Sequence, residues 1–271
     1  MIGFPNAKIN LGLDVLDKRQ DGYHNISSVF YPVKELYDVL EIVPNKSEAD
    51  QFSFSGLPVP GEQGNNLVVK ALQLIRENHK IPYLDIYLHK VIPMGAGLGG
   101  GSSDGSFMLK MLNELFSLNL GKPKLEALAL ELGSDCPFFI ENKPTLAEGR
   151  GEKMTDVPLD LKGFYLALAF CDVHISTGEA YENVARKSES KIAELVDKKP
   201  NFDRWEKEMV NAFEFYALSE YPKIEKVKRY FLNQNAVYVS MTGSGSAIYG
   251  IFEEDPGQLS LDGFNFWKGP A

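Results

Sequence analysis

PMGAGLGGGSSDGS, from Pro93 to Ser106, sets six glycines between an extended apolar segment and a helix-like run, Phe107 to Phe116. Glycines let a chain approach a ligand with no Cβ in the way, and the start of the following helix offers unpaired N–H donors at the positive end of its dipole. The junction therefore reads as a cradle for a phosphate-like anion. It lacks the G-K-[ST] ending of a P-loop, and no acidic residue about 20 positions on completes a dinucleotide fingerprint. A flexible linker is a poor alternative, because an amphipathic helix follows at once.

Outward from the cradle, the N-terminal stretch PNAKINLGLDV, Pro5 to Val15, alternates. In an extended strand Ala7, Ile9, Leu11, Leu13 and Val15 share one face, and Lys8, Asn10, Gly12 and Asp14 the other. The plainer reading of that second face is a solvated surface; the functional one is that Lys8 and Asn10 point together at a ligand. The strand leads through the turn KRQDGYH, Lys18 to His24, into a stretch with Tyr23, Phe30 and Tyr31. Flat rings beside a hydrogen-bonding imidazole suit a planar ligand such as a base.

GSDCPFF, Gly133 to Phe139, follows a helix-like run from Lys124 to Leu132. Gly133 reads as its C-cap, and Asp135, two residues before Pro137, as the N-cap of a new turn. A carboxylate held ionised and rigid in this way can also accept a hydroxyl proton in phosphoryl transfer. In MTGSGSAIYG, Met241 to Gly250, a Gly-Ser-Gly turn beside a strand offers further backbone donors, although a plain hairpin turn has the same look.

These segments, in this order, resemble the GHMP kinase family of small-molecule kinases, and the resemblance covers nearly the whole chain. It implies an α+β, two-lobed fold with an N-terminal ATP-binding domain and a C-terminal α/β sandwich domain. It implies a catalytic pair, Lys8 and Asp135, and an ATP-phosphate loop made of Pro93, Met94, Gly95, Ala96, Gly97, Leu98, Gly99, Gly100, Gly101, Ser102 and Ser103. Substrate contacts fall to Asn10, Tyr23, His24, Tyr31, Thr177, Tyr181, Gly243 and Ser244. The opening PNAKINLGLDVLDKRQDGYH, the GLGGGSSD run and GSDCPFF resemble the branch whose acceptor is a cytidine-diphosphate-linked sugar alcohol, with Tyr23, His24 and Tyr181 at the cytosine. The implied cofactors are ATP and Mg²⁺, with no metal ligand assigned on the protein. In HISTGEAY, Gly178 stands where relatives commonly carry proline, which loosens the segment that presents Tyr181. Two other readings stay open: a GHMP kinase for a simpler alcohol such as mevalonate or homoserine, and a noncatalytic nucleotide-binding member.

Composition accords with these expectations. The chain has 271 residues, 44% hydrophobic and 24% charged, which is ordinary for a globular protein large enough for two lobes. A net charge of −9 argues against nonspecific nucleic-acid binding, so anionic ligands must meet locally concentrated donors. Cys136 and Cys171 have no metal-ligand spacing, and no signal peptide or long apolar span is evident, which points to a reducing, cytoplasmic setting away from membranes. Oligomeric state is not legible.

The rest alternates between strands and helices. AEGRGE, Ala147 to Glu152, reads as a seam between domains 1–150 and 151–271, with the extreme C-terminus free to pack back on the first. Helices are expected from Asn66 to about Asn78, around Glu179 to Ala185, over Asp203 to Leu218 and over Ile224 to Leu232. In the third of these Trp205, Met209, Ala212, Phe213 and Tyr216 recur at helical spacing as core. Lys187 to Lys199 reads as a solvated helix and turn.

Overall fold

The computed structural model describes residues 1–59, 63–184 and 186–271. The chain order is β1 (Ile2–Gly3), β2 (Asn6–Lys18), β3 (His24–Tyr37), β4 (Val39–Pro44), β5 (Gln51–Gly56), α1 (Leu67–Asn78), β6 (Leu84–Lys90), α2 (Gly100–Leu115), α3 (Lys122–Leu132) and α4 (Phe138–Glu141). It continues through β7 (Thr145–Gly149), β8 (Lys153–Asp156), β9 (Tyr165–Cys171), α5 (Thr177–Glu182), α6 (Phe202–Glu208), α7 (Glu214–Glu220), α8 (Pro222–Asn233), β10 (Tyr238–Met241), β11 (Ile248–Phe252) and β12 (Phe264–Pro270). Ala185, the expected end of the α5 helix, lies outside the described residues.

The chain forms two compact units, and their division differs from the seam read at Ala147–Glu152. Unit 1 comprises Met1–Ala7, Leu36–Met94 and Gly99–Asn142; unit 2 comprises Lys8–Glu35, Gly95–Leu98 and Lys143–Ala271. The seam stretch is itself a tight antiparallel hairpin, β7 pairing β8 with Ala147 opposite Met154. Because β2 and β3 share a sheet with β7 and β8, the N-terminal hairpin groups with the C-terminal half.

Unit 1 is a four-stranded sheet in the order β1-β4-β6-β5, covered by helices. Leu40, Ile42, Leu84, Ile86 and Leu88 meet Val68, Leu72 and Ile75 of α1 and Met108, Leu109 and Leu112 of α2 in one apolar core. Asn66 caps α1 through a side-chain oxygen that accepts the Val68 N–H at 2.8 Å, as an N-cap does. Helix α2 begins at Gly100, well before the expected Phe107, so half of the glycine stretch is helical. Its glycines serve close packing: a Cβ on Gly105 would sit 2.9 Å from the Leu67 Cβ.

Unit 2 holds two four-stranded sheets, β2-β3-β7-β8 and β10-β11-β9-β12. Phe231, Val227 and Ile224 of α8 pack with Val239, Met241 and Ile248, and with Leu13 and Val15 of β2. The C-terminal strand β12 docks along β9, Phe264 opposite Cys171 and Pro270 opposite Tyr165, as the edge of this unit's own sheet. The polar face of β2 is not a solvated surface, since Lys8, Asn10 and Asp14 are all nearly completely buried.

Two expected helices are broken for identifiable reasons. Asp203 to Leu218 is split into α6 and α7 because Val210–Ala212 bonds to β2: Leu13 N–H donates to Val210 O at 3.1 Å and Ala212 N–H to Leu13 O at 2.7 Å. An extended bridge and an α-helical turn cannot use the same backbone groups. Lys187 to Lys199 contains only a short 3₁₀ turn, Ile192–Leu195, and it is anchored by buried Ile192 and Leu195. Lys187 is exposed, as expected, but its ammonium is anchored by the buried Asp14 carboxylate at 2.5 Å.

Candidate active site

In unit 2 the strand alternation places Lys8 and Asn10 on one face, and Lys8 Nζ donates to Asn10 Oδ1 at 2.6 Å. The ammonium also lies 4.8 Å from the centroid of the Phe30 ring. Asn10 is held from every side. Its Nδ2 donates to Ser28 Oγ at 2.8 Å, its N–H to Thr242 Oγ1 at 3.0 Å, and its carbonyl accepts Tyr249 OH at 2.9 Å. A lysine whose partner is fixed in this way keeps its charge at one place, which is what stabilising a developing anion requires.

Thr242 also fastens the glycine loop, donating to Gly97 O at 2.9 Å, while Lys8 N–H donates to Leu98 O at 2.9 Å. Gly97 has φ +78°, and a Cβ there would lie 2.0 Å from the Thr242 carbonyl oxygen, so only glycine fits. Asn211, the residue that breaks the expected helix, donates to the carbonyls of Met241 and Gly243 at 2.8 and 2.9 Å and shapes the Gly243–Ser244 turn. Thr242 and Asn211 are not among the expected site residues. The only signal for Asn211 is a weak helix former inside a helical period; Thr242 lies within the Met241–Gly250 segment noted above, but nothing local marks its hydroxyl.

In unit 1, α2 starts after Gly99, whose φ is +69° and which supplies no side-chain cap. The first-turn N–H groups of Gly100, Gly101 and Ser102 therefore form the donor end that the sequence implies. Pro93 is half-buried and Met94 is exposed, while Ser103 is completely buried. Beneath this turn lies a charged cluster: Lys90 Nζ bonds the Asp38 carboxylate and meets Asp104 Oδ2 at 2.7 Å. Asp38 Oδ1 accepts the N–H groups of Val91 and Ile92 at 2.6 and 2.9 Å. Among the described residues, Ser103 Oγ and Asp104 Oδ1 are buried with no hydrogen-bond partner.

Asp135 is half-buried in the segment between α3 and α4. It does not cap α4, where Pro137 takes the N-cap position. Gly133 does end α3, its N–H donating to Ala129 O at 3.2 Å, but with φ 168° it is extended, a conformation open to any residue. Ser106 Oγ bonds the carbonyls of Ser102 and Cys136 at 2.8 and 2.7 Å, so α2 and the Asp135 segment are tied together within unit 1. Burial pushes the Cys136 thiol up to about 11, which makes it a packing group and not a nucleophile.

The aromatic residues of unit 2 form an open cavity of about 500 Å³ lined by Lys18, Tyr23, His24, Thr177, Tyr181 and Arg186 among others. His24 and Tyr181 stack at 4.9 Å with planes 17° apart, and Tyr181 rests edge-on against Phe213 at 4.9 Å. Despite Gly178, α5 is firmly seated. Ser176 caps it by accepting the Glu179 N–H at 3.1 Å, and Glu179 Oε1 accepts the hydroxyls of Tyr216 and Tyr221 at 2.8 and 2.6 Å. Tyr23 is 57% exposed, with the Arg150 guanidinium 5.0 Å from its ring centroid. Tyr31 is not a wall of this cavity: it is buried in β3 and its phenol bonds the Leu161 backbone, so burial raises its pKa.

Desolvation, then the charges of Arg186 and Lys18, holds His24 below its ordinary 6.5, against a weaker opposing pull from Asp17. The imidazole is therefore neutral at pH 7, with one nitrogen free to accept. If that nitrogen contacts the substrate, KM for the substrate should stay flat from neutral pH upward and rise as the pH falls through the depressed value. His24→Gln should abolish the acid limb. An acid limb retained in that variant would assign it to another group.

The sequence profile of the GHMP kinases N-terminal domain matches residues 66–143, and that of the GHMP kinases C-terminal domain matches residues 185–261. The chain belongs to the GHMP kinase family. Within it, the chain is 48% identical over 256 residues to the 4-diphosphocytidyl-2-C-methyl-D-erythritol kinase of Azobacteroides pseudotrichonymphae, covering 94% of each protein. It is 46% identical to the protein of the same name from Bacteroides fragilis, over 97% of this chain and 96% of that one. A crystal structure of 4-(cytidine 5'-diphospho)-2C-methyl-D-erythritol kinase superposes with a TM-score of 0.76 at 29% identity, covering 92% of this chain and 89% of that one. Homoserine kinase from Cytophaga hutchinsonii shares the fold, with a TM-score of 0.65 at 15% identity over 91% of this chain and 84% of that one. No helix among the described residues is long and apolar enough to cross a membrane.

Proposed function

We propose that this protein transfers the γ-phosphoryl group of ATP to the 2-hydroxyl of 4-diphosphocytidyl-2-C-methyl-D-erythritol, as a cytoplasmic enzyme of non-mevalonate isoprenoid synthesis. The relatives at 46–48% identity support the reading. The observation that carries it is the stacked His24–Tyr181 pair on a cavity wide enough for a pyrimidine. A kinase for mevalonate or homoserine has no planar group to place there. A noncatalytic nucleotide binder has no use for Lys8 locked on Asn10.

In this mechanism the Gly95–Gly101 backbone and the start of α2 hold the triphosphate. Asp135 aligns the acceptor hydroxyl and takes its proton as the O–P bond forms; the bond between the γ-phosphorus and the bridging oxygen breaks, and ADP leaves with the electron pair. Lys8 steadies the charge that develops on the transferring group. Among the described residues no cluster of three or more His, Cys, Asp or Glu side chains could cage a metal. The Ser103 hydroxyl, buried and without a hydrogen-bond partner, would be the oxygen this chain offers to Mg²⁺. Mg²⁺ supplies neutralisation of phosphate charge when bound.

The test is ADP release with ATP and a panel of acceptors: the cytidine substrate, its uridine analogue, free methylerythritol, mevalonate and homoserine. An unpaired polar edge costs about 1–3 kcal/mol, so the uridine analogue should lose about 10- to 100-fold in kcat/KM. Equal use of both nucleotides, or of methylerythritol alone, would leave the cavity without its assigned ligand.

A further inference from the structure

We propose that Glu214 is a positioning residue for the nucleotide loop: with Asn211 it grips the end of β10 and thereby sets where Thr242 holds Gly97. The proposal rests on the reading of the Gly95–Gly101 loop as the phosphate cradle. Glu214 is 3% exposed at the start of α7, and Asn211, three residues before it, is buried too. Both belong to unit 2, as do β10, Thr242 and Gly97. In the sheet order β10-β11-β9-β12, β10 is an edge strand, so the N–H and C=O of every second residue face away from β11. Glu214 Oε1 accepts the Met241 N–H at 2.6 Å and the Ser240 hydroxyl at 3.0 Å, while Asn211 Nδ2 donates to Met241 O at 2.8 Å. Two side chains thus take both outward backbone groups of Met241, where a neighbouring strand would otherwise pair.

The next residue in the chain is Thr242. Its hydroxyl donates to Gly97 O at 2.9 Å and accepts the Asn10 N–H at 3.0 Å, so a shift of the β10 end passes to the loop and to the partner of Lys8. The second carboxylate oxygen of Glu214 accepts Lys228 Nζ at 2.6 Å. A buried ion pair is a weak source of stability, since desolvation offsets most of the attraction. What this pair secures is geometry: with Oε2 held by α8, Oε1 stays fixed on the β10 backbone. Asn211 is fixed in turn, its Oδ1 accepting the Phe213 N–H at 3.0 Å and its carbonyl the Glu214 N–H at 2.9 Å. Asn211 to Glu214 therefore form one rigid grip, whose action on the loop runs through Thr242.

Steady-state kinetics with ATP as the varied substrate, together with melting temperatures, test this on Glu214→Gln, Glu214→Asp, Asn211→Ala and Lys228→Met. Glutamine keeps an oxygen within reach of the Met241 N–H and loses the charge; aspartate keeps the charge and falls one methylene short. Glu214→Asp and Asn211→Ala should each raise KM for ATP about tenfold, a smaller loss than the ~10²-fold that a 1 Å displacement of a positioning element can bring. Glu214→Gln and Lys228→Met should lower the melting temperature, because each breaks the buried pair, and leave KM for ATP near the wild-type value. A merely structural role has KM for ATP either flat in all four or tracking the melting temperature, and either result on folded protein would overturn the grip. Gly97→Ala is the reference for the loop itself. If it raises KM for ATP while Glu214→Asp and Asn211→Ala do not, only the grip falls; if it too changes nothing, the phosphate-loop reading falls and takes the grip with it.

Discussion

Asp135→Asn and Lys8→Met are each expected to lower kcat by about 10²-fold or more while ATP affinity stays near the wild-type value, because a positioned proton acceptor is commonly worth 10²–10⁴. The two variants should differ in their side effects. Asp135 is half-buried and asparagine keeps its shape, so the folded state should be little disturbed. Lys8 is 3% exposed and its ammonium donates to Asn10 Oδ1 at 2.6 Å, so methionine fills the space but leaves that buried acceptor only the longer 3.3 Å contact from the Thr242 hydroxyl. That costs about 1–3 kcal/mol of stability, visible as a lower melting temperature. Turnover must therefore be measured on protein shown by circular dichroism to be folded. Near-normal turnover of either folded variant would sink the assignment of the pair.

The second large effect is expected from one methyl group. Gly97→Ala combines a left-handed backbone at φ +78° with a Cβ 2.0 Å from a carbonyl oxygen, so the loop must lift away from Thr242. Displacement of a positioning element by about 1 Å can cost on the order of 10²-fold in kcat/KM, and the loss should appear with ATP as the varied substrate. Gly163→Ala is the matched control, with φ +98° and nothing within 4 Å of its Cβ. Backbone strain there should lower stability by about 1–2 kcal/mol and leave ATP kinetics alone. If Gly97→Ala behaved as Gly163→Ala does, the close approach would have no part in holding phosphate.

Some of the site was legible because it depends on short-range geometry. A strand has period two, so Lys8 and Asn10 had to share a face, and the 2.6 Å bond between them is the result. Whether that face meets water or protein is set by Thr242 and Tyr249, more than two hundred residues away, and alternation reads the same in both cases. The start of α2 was obscured by glycine's low helix propensity, which close packing of Gly105 on Leu67 overrides. The apparent helix over Asp203 to Leu218 has the right period; what breaks it is a bridge to Leu13 that no local pattern records. The grouping of Lys8–Glu35 with the C-terminal half is likewise a matter of sheet partners. Tyr181 lines the cavity beside His24, while the Glu179 clamp that offsets Gly178 could not be read, because its tyrosines lie on other helices.

The Lys90–Asp38–Asp104 cluster sets two carboxylates against one ammonium, and this has a consequence for how unit 1 responds to acid. Asp104 is held well above its ordinary 3.8, by desolvation first and by the neighbouring Asp38 charge, with Lys90 pulling the other way. A carboxyl raised in this way keeps its proton in the folded chain at a pH where the unfolded chain has already released it. Folding thus takes up a proton between 3.8 and the raised value, and the cluster favours the folded state below that window and loses this contribution as the pH climbs through it. Acid, which unfolds most proteins by protonating paired carboxylates, completes the charge balance of this one.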